Sequence, residues 1–174
     1  MRIVSFLFMM MFGLSLDAIT IGEVPKNVVL SGDNGGLVKD GTQWDSTTLK
    51  DKVLVMFYVD PDEKDLNEAF ADALKEKNFD REKFGSVAVI NMAASWKPNF
   101  AIQMALEKKQ KKFPHTLYVK DMNSVIVKEW GVADDNSDIL IFSKTGELLF
   151  HKDGKLNEEE ISKALKIVEE NISL

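Results

Sequence analysis

The chain of 174 residues contains no cysteine. Thiol redox chemistry, cysteine-ligated zinc and iron–sulfur clusters are therefore excluded, because each of them needs a thiolate. Only two histidines occur, His115 and His151, and neither has a companion at metal-ligand spacing. Basic residues are also in deficit, with 22 Lys and Arg against 28 Asp and Glu and a formal net charge of −6. Such a surface repels phosphate polyanions, so we expect no nucleic-acid partner.

One long apolar run opens the chain. Ile3 to Leu16 follows the positive charge of Arg2 and has the length of a signal-peptide core. A small residue, Ala18, stands at a plausible cleavage point, and the run is too short to span a bilayer comfortably. We therefore predict a signal peptide over residues 1–18 and a mature domain over 19–174. The expected location is the periplasm, and we expect the mature protein not to span the membrane.

The continuous apolar run Val53–Val59 predicts a strand that is covered on both faces of a sheet. A helix is expected to follow directly, with Asp60 as its N-cap, Pro61 at its first position and Glu63 completing a capping box. An apolar stripe at four-residue spacing supports that helix: Leu66, Phe70 and Leu74.

Two further strands are expected, at Ser86–Met92 and His115–Val119. Between them, Pro98 opens a predicted helix that runs to about Lys112. Four apolar residues of this helix are expected to face the core: Phe100, Ala101, Met104 and Ala105.

The end of the chain predicts a hairpin over Asp138–Phe142 and Glu147–Phe150, then a helix capped by Asn157. Near the start, Ile19–Val38 predicts a further β-hairpin around the turn Ser31–Gly36. The order is a hairpin, then βαβαβ, then ββα. That order predicts an α/β domain of thioredoxin-like fold, with a central mixed sheet flanked by helices and an N-terminal hairpin extension.

Several motifs together resemble the YtfJ-like family of exported bacterial proteins. They span nearly all of the predicted mature chain: Gln43–Ser46, Val53–Phe57, Lys111–Pro114, Glu129–Val132, Ile139–Gly146 and His151–Glu160. The resemblance implies a periplasmic thioredoxin-like domain without an assigned biochemical role. Some members carry a transcriptional-regulator label, which does not fit an exported acidic protein.

Redox-active relatives of this fold carry a Cys-x-x-Cys pair at the start of the first helix and a cis-proline before the hairpin. Comparison with them implies that Asp62 and Asp65 occupy the cysteine positions and that Ser137 occupies the proline position. The redox machinery of the fold is therefore absent, and no catalytic motif replaces it.

Acidic residues cluster in two stretches that the predicted fold brings face to face. Asp62 and Asp65 follow the central strand, while the second stretch contains Asp134, Asp135 and Asp138. Converging carboxylates suit a hard cation such as Ca²⁺, although neither stretch has EF-hand spacing. The same residues could instead act as an acid–base pair in a hydrolase, or stabilise a helix start and keep a loop soluble.

A lysine run and the tryptophans each allow more than one interpretation. Lys108–Lys112 is the one basic run, and it could dock an anionic membrane or an acidic partner, or simply complement a helix dipole. Three tryptophans are suited to packing or to interfaces: Trp44, Trp96 and Trp130. We expect a binding role in the cell envelope, for a protein or peptide partner. A carboxylate- or metal-dependent hydrolase and a structural envelope component are the alternatives.

Overall fold

The computed structural model describes residues 18–174, so the predicted signal peptide lies outside the described residues except for Ala18. A six-stranded mixed sheet forms the centre of the molecule. The described strands are β1 Val29–Leu30, β2 Gly35–Leu37, β3 Trp44–Asp45, β4 Val53–Val59, β5 Phe84–Asn91, β6 Thr116–Asp121, β7 Ser137–Phe142 and β8 Leu148–Lys152. The described residues form four α-helices: α1 Glu68–Lys77, α2 Asn99–Lys112, α3 Val125–Trp130 and α4 Glu158–Ser173.

The strand order in the large sheet is β2-β6-β5-β4-β7-β8. Strand β4 lies inside it, parallel to β5 and antiparallel to β7. Its residues are buried except for the half-buried Phe57, as expected for an apolar run covered on both faces. The βαβ and ββα parts connect as the sequence predicts, and the mixed sheet flanked by helices confirms the predicted fold class.

Helices cover both faces of the sheet. On one face, α1 and α4 pack against β4, β7 and β8 through residues such as Phe70, Ala164 and Val168. On the other face, α3 and the N-terminal segment enclose Trp44 and Trp130. Helix α2 covers the ends of β5 and β6 through Ile102 and Leu106. The predicted capping box of α4 is present, with Asn157 and Glu160 exchanging side-chain-to-backbone hydrogen bonds of 2.9 Å.

The N-terminal extension forms a small two-stranded antiparallel sheet, but its pairing differs from the predicted hairpin. Strand β1 pairs with β3, while β2 leaves the extension and joins the edge of the large sheet beside β6. Two glycines allow that close approach. A Cβ atom at Gly35 would stand only 1.9 Å from the Lys120 carbonyl oxygen, and Gly36 has a φ of 137°.

The predicted start of the first helix is wrong. Asp60, Pro61 and Glu63 do not begin α1, which starts at Glu68 after a series of turns. The Asp60 carboxylate accepts from the backbone N–H of Asp62 at 2.7 Å, closing a turn instead of capping a helix. The prediction failed because an aspartate that stabilises a turn and one that caps a helix occur in the same short sequence pattern.

The predicted inward face of α2 is also wrong. Phe100 and Met104 are 70% and 55% exposed, and Ala101 and Ala105 also face solvent. The buried residues Ile102 and Leu106 lie on the opposite side of the helix. Gln110 holds this orientation, since its side-chain amide donates to the Thr116 carbonyl oxygen at 3.0 Å. The helix carries two apolar stripes, and periodicity alone does not decide which of them meets the sheet.

Candidate functional site

The two acidic stretches meet where β4 ends and β7 begins. Val59 pairs with Ser137, and the Asp60 N–H donates to the Asn136 carbonyl oxygen at 2.7 Å. The turns after β4 and the loop before β7 therefore form one surface, here called the loop face: residues 60–66, 92–98 and 133–136.

Asp60 is the buried member of the loop face. Only 5% of the residue is exposed, and burial raises the pKa of its carboxyl group. The negative charges of Asp62, Asp135 and Glu63 raise it further, although the hydrogen bond from the Asp62 N–H acts in the opposite direction. The strand pairing of Val59 with Ser137 and the backbone bond from Asp60 to Asn136 place the two acidic stretches side by side.

Asp62 joins the turns after β4 to the segment that precedes α2. Its carboxylate forms an ion pair with Lys97 and accepts from the Ser95 hydroxyl at 2.9 Å. These contacts lower the pKa of Asp62, with the hydrogen bond from Lys97 as the largest cause. Asp65 instead pairs with its exposed neighbour Lys64, and that contact lowers the pKa of Asp65. The two predicted cysteine-equivalent positions therefore carry ionised, exposed carboxylates in turns ahead of α1.

Asp134 and Asp135 are exposed in the loop before β7. The Asn91 side-chain amide donates to Asp134 at 2.7 Å, and Asn91 in turn accepts from the Ser124 hydroxyl at 2.9 Å. Asp135 has a φ of 51°, a left-handed conformation that Asp and Asn tolerate better than most residues. The loop is thus held in place by buried polar groups, while its carboxylates face solvent.

Asp138 does not belong to the loop face. It is fully buried at the β7–β8 edge, where its Oδ1 accepts from the Gly154 N–H at 3.3 Å. Its Oδ2 has no hydrogen-bond partner among the described residues. Burial, together with the nearby charge of Asp153, raises the pKa of Asp138 to about 7. The sequence placed Asp138 with Asp134 and Asp135, whereas it lies in β7, all six residues of which are buried.

Ser137 lies at the first position of β7, and its main partner is a residue that the sequence did not single out. The Asn67 side chain donates to the carbonyl oxygens of Ser137 at 2.9 Å and Gly154 at 3.1 Å. It also accepts from the Leu156 N–H at 2.9 Å. Asn67 therefore fastens the start of α1 to the hairpin and to the approach of α4. No sequence signal indicated this role, because the predicted helix began at Pro61 and therefore contained Asn67.

A second set of buried polar side chains, Tyr58 and Asp121, lies on the face of the sheet that α3 covers. The Tyr58 hydroxyl donates to Asp121 at 3.1 Å, and Asp121 also accepts from the Val125 and Ile126 backbone amides at the start of α3. Burial is the largest cause that raises the pKa of Tyr58, followed by the charge of Asp121. These groups stabilise the fold beneath the loop face and keep the Tyr58 proton in place.

Within residues 18–174, no three His, Asp or Glu side chains are arranged to hold a metal ion. Of the suggested calcium ligands, Asp62 and Asp65 pair with Lys97 and Lys64, and Asp134 accepts from the Asn91 side chain. Asp135 faces solvent, and Asp138 is buried. Two clefts, of about 180 and 120 Å³, lie away from the loop face, and neither has an acidic residue in its lining. In the same described range, no helix is both long and apolar enough to cross a membrane. Chemically, the loop face offers exposed oxygen acceptors and the positive charges of Lys64 and Lys97.

Comparisons with known proteins agree with this architecture. An uncharacterized protein of Haemophilus influenzae is 28% identical over 159 residues, covering 88% of this chain and 83% of the relative. The uncharacterized protein YtfJ of Escherichia coli is 24% identical over 145 residues, covering 79% of each chain.

Solved structures with thioredoxin-like folds are also similar to this chain. Their sequence identities are low, so the similarity concerns the fold alone. One is described as a candidate protein disulfide isomerase of Bacteroides thetaiotaomicron, with a TM-score of 0.61 and 17% identity, covering 90% of this chain and 92% of that one. Another is the exposed lipoprotein thioredoxin Etrx1 of Streptococcus pneumoniae, with a TM-score of 0.55 and 14% identity, covering 81% and 98%. Both are named as thiol-active kinds of protein, whereas this chain has no thiol.

The family described as "Bacterial protein of unknown function (YtfJ_HI0045)" matches residues 27–171, which include every strand and all but the end of the last helix. The chain therefore belongs to the YtfJ family, as a thioredoxin-fold member that lacks cysteine.

Proposed function

We propose that this protein is exported to the bacterial periplasm and binds a polypeptide partner of the cell envelope through its loop face. The partner surface would carry basic residues that complement exposed carboxylates. The observation that carries the proposal is the meeting of two loops at the β4–β7 junction, with Asp62, Glu63, Asp134 and Asp135 at the surface. This surface includes Asp62 and Asp65, the positions that correspond to the cysteine pair of redox-active relatives, and here it holds no thiol.

The electrostatics of the loop face support binding. Asp62 is ionised, and Asp134 and Asp135 are exposed on a loop that buried hydrogen bonds hold in place. A preformed charged surface steers an oppositely charged partner and loses little conformational freedom when it binds. Salt should therefore slow association with the partner.

A carboxylate-dependent hydrolase on this surface is the competing interpretation. Such an enzyme needs two carboxyl groups that flank one cleft, one of them with a raised pKa. The pKa values of Asp138 and Asp60 are raised, but both carboxyl groups are buried, Asp138 beside Asp153 and Asp60 in the turn that it closes with the Asp62 N–H. Asp62 is committed to Lys97 and Ser95. The carboxyl groups of interest therefore face different surroundings, and this separation favours the binding role.

Export is supported by the apolar start of the chain behind Arg2. The similarity to a lipoprotein described as exposed is compatible with it. Cell fractionation with N-terminal sequencing tests this part of the proposal. We expect a periplasmic protein that begins near Ile19; a full-length cytoplasmic protein would refute export.

Site-specific photo-crosslinking in the producing bacterium tests the binding surface. A photoreactive residue at the exposed Glu63 of the loop face should give a discrete crosslinked product. The same residue at Glu76, exposed on α1, is the control. No product at Glu63, or the same product at both positions, would contradict the proposal.

A further inference from the structure

Within residues 18–174, helix α2 exposes apolar side chains on the side that faces away from the sheet. Eight large hydrophobic side chains are exposed in the described chain, and four of them lie between residues 96 and 113: Trp96, Phe100, Met104 and Phe113. Trp96 is 83% exposed. A cluster of this kind is a mark of an interaction site, whereas single exposed apolar residues need no explanation.

Lysines share this surface. At 100° per residue, Phe100, Met104, Lys108 and Lys111 lie within one quarter of the helix circumference, opposite the buried Ile102 and Leu106. We call Phe100, Met104, Lys108 and Lys111, together with the exposed Trp96 three residues ahead of the helix, the α2 outer face. The segment from 97 to 113 contains five lysines and one glutamate, in a chain whose net charge is −6.

At each end of α2, a lysine ammonium group lies near an aromatic ring. The Lys97 ammonium lies 6.0 Å from the Trp96 ring centre, and the Lys112 ammonium lies 5.1 Å from the Phe113 ring centre. Lysine and tryptophan side chains together are typical of the boundary between lipid headgroups and acyl chains. There the ring sits at headgroup depth, and the ammonium group stays among phosphates.

We propose that the α2 outer face docks the protein on an anionic lipid surface, with α2 lying in the plane of the bilayer. The apolar stripe supplies the burial, and the lysines supply charge complementarity with phosphate headgroups. The rest of the protein surface is acidic, so the same headgroups repel it. This repulsion favours the orientation in which α2 faces the bilayer.

A protein partner fits these features less well. The exposed side chains stand on the convex side of a helix, and the two described clefts do not include them. A few side chains also offer far less area than the roughly 1,200 Å² that a stable protein interface buries. A fluid lipid interface needs no matching shape, so this small convex surface suffices. The two surfaces share Trp96, but this proposal does not use the carboxylates of the loop face. Vesicle binding and crosslinking at Glu63 test the two proposals separately, so either can fail without the other.

Vesicle binding by the chain from Ala18 onward tests the proposal. This part of the chain contains the complete sheet, all four helices and every core cluster described above, and it omits an apolar segment that would bind lipid by itself. Circular dichroism should first verify that it folds. Vesicles of phosphatidylethanolamine with phosphatidylglycerol are the anionic probe, and vesicles of phosphatidylcholine are the neutral probe.

Tryptophan fluorescence gives a local readout. The other two tryptophans, Trp44 and Trp130, are 2% and 1% exposed, so a blue shift on binding reports Trp96. We expect a blue shift with anionic vesicles, reversal by high salt, and no shift with neutral vesicles. Equal binding to both kinds of vesicle, or no binding to either, would overturn the proposal.

Matched variants separate charge from apolar contact. Lys108→Gln with Lys111→Gln should weaken anionic-vesicle binding about 30-fold. Lys163→Gln with Lys166→Gln, exposed at the same spacing on α4, should change it less than about twofold. Phe100→Ser with Met104→Ser should abolish the blue shift, and its melting temperature should stay near that of the unchanged chain. Should these serines instead convert a dimer into a monomer in sedimentation, with no lipid binding by the unchanged chain, the face would be a self-association surface and the proposal would be wrong.

Discussion

Replacing the buried Asp138 by Asn should stabilise the protein at pH 8 and leave it nearly unchanged at pH 4. The folded state raises the pKa of Asp138 from its ordinary 3.8 to about 7, mainly through burial. Between those pH values the folded chain holds a proton that the unfolded chain releases. The stability associated with the protonated group is fully present below pH 3.8 and is lost as the pH rises to about 7.

The size of the effect follows from the two pKa values. Their separation corresponds to at most about 4 kcal/mol, since each pH unit is worth about 1.4 kcal/mol. Local relaxation and water entry reduce the penalty for the ionised carboxylate, so about 2–4 kcal/mol is expected. Asparagine imitates the protonated carboxyl group, keeps an oxygen for the Gly154 N–H and never ionises.

Urea denaturation of both proteins at a series of pH values from 4 to 8 measures the difference directly. The stability of the Asn variant minus that of the unchanged protein should rise with pH and level off near pH 7. Asp72→Asn, at an exposed position on α1, is the control and should give a difference that does not depend on pH. A constant difference for Asp138→Asn across the series would refute the burial argument.

Three further substitutions test other parts of the structure. Asn67→Ala should lower the free energy of unfolding by about 3 kcal/mol in urea denaturation, because it removes three buried hydrogen bonds; a loss below 1 kcal/mol would argue against its fastening role. Gly35→Ala should speed amide hydrogen exchange in β2, since its Cβ would collide with a carbonyl oxygen of β6, whereas Gly22→Ala, also at positive φ but with nothing within 4 Å, should leave exchange in β2 unchanged. Tyr58→Phe should cost about 1–2 kcal/mol in thermal unfolding by removing the donor to Asp121, and an unchanged melting temperature would contradict that bond.

The sequence predicted the parts of the fold whose signals are local and strong. Val53–Val59 is apolar throughout and proved to be an inner strand of the sheet. The Asn157 and Glu160 pair predicted a capping box that the structure contains. In both places the residues that determine the element lie within the element itself.

Predictions failed where tertiary contacts decide between two local possibilities. Asp60 closes a turn because its N–H bonds to Asn136, which lies far along the chain. Phe100 and Met104 face solvent because the side of α2 that meets the sheet carries Ile102 and Leu106. Neither outcome can be found from periodicity or capping motifs, since both alternatives satisfy the same pattern.

The sequence predicted which two stretches meet at the candidate site. It did not predict the hydrogen-bond and ion-pair partners of their residues. The meeting of the two acidic stretches follows from the thioredoxin-like topology, which the sequence does indicate. The pairing of Asp62 with Lys97 depends on loop paths, and the burial of Asp138 depends on the elements that cover both faces of β7. The role of Asn67 was not predicted because its hydrogen bonds join three segments that lie up to 89 residues apart.

Affinity capture of envelope proteins with a charge-reversed loop face tests the central claim most directly. Asp62→Lys with Asp135→Lys reverses the loop face, while Asp72→Lys with Glu76→Lys makes the same change in net charge on the exposed side of α1. We predict that a specific protein partner is retained by the unchanged protein and by the α1 variant, and is lost from the loop-face variant. Retention of that partner by the loop-face variant, or its equal loss from both variants, would contradict the account.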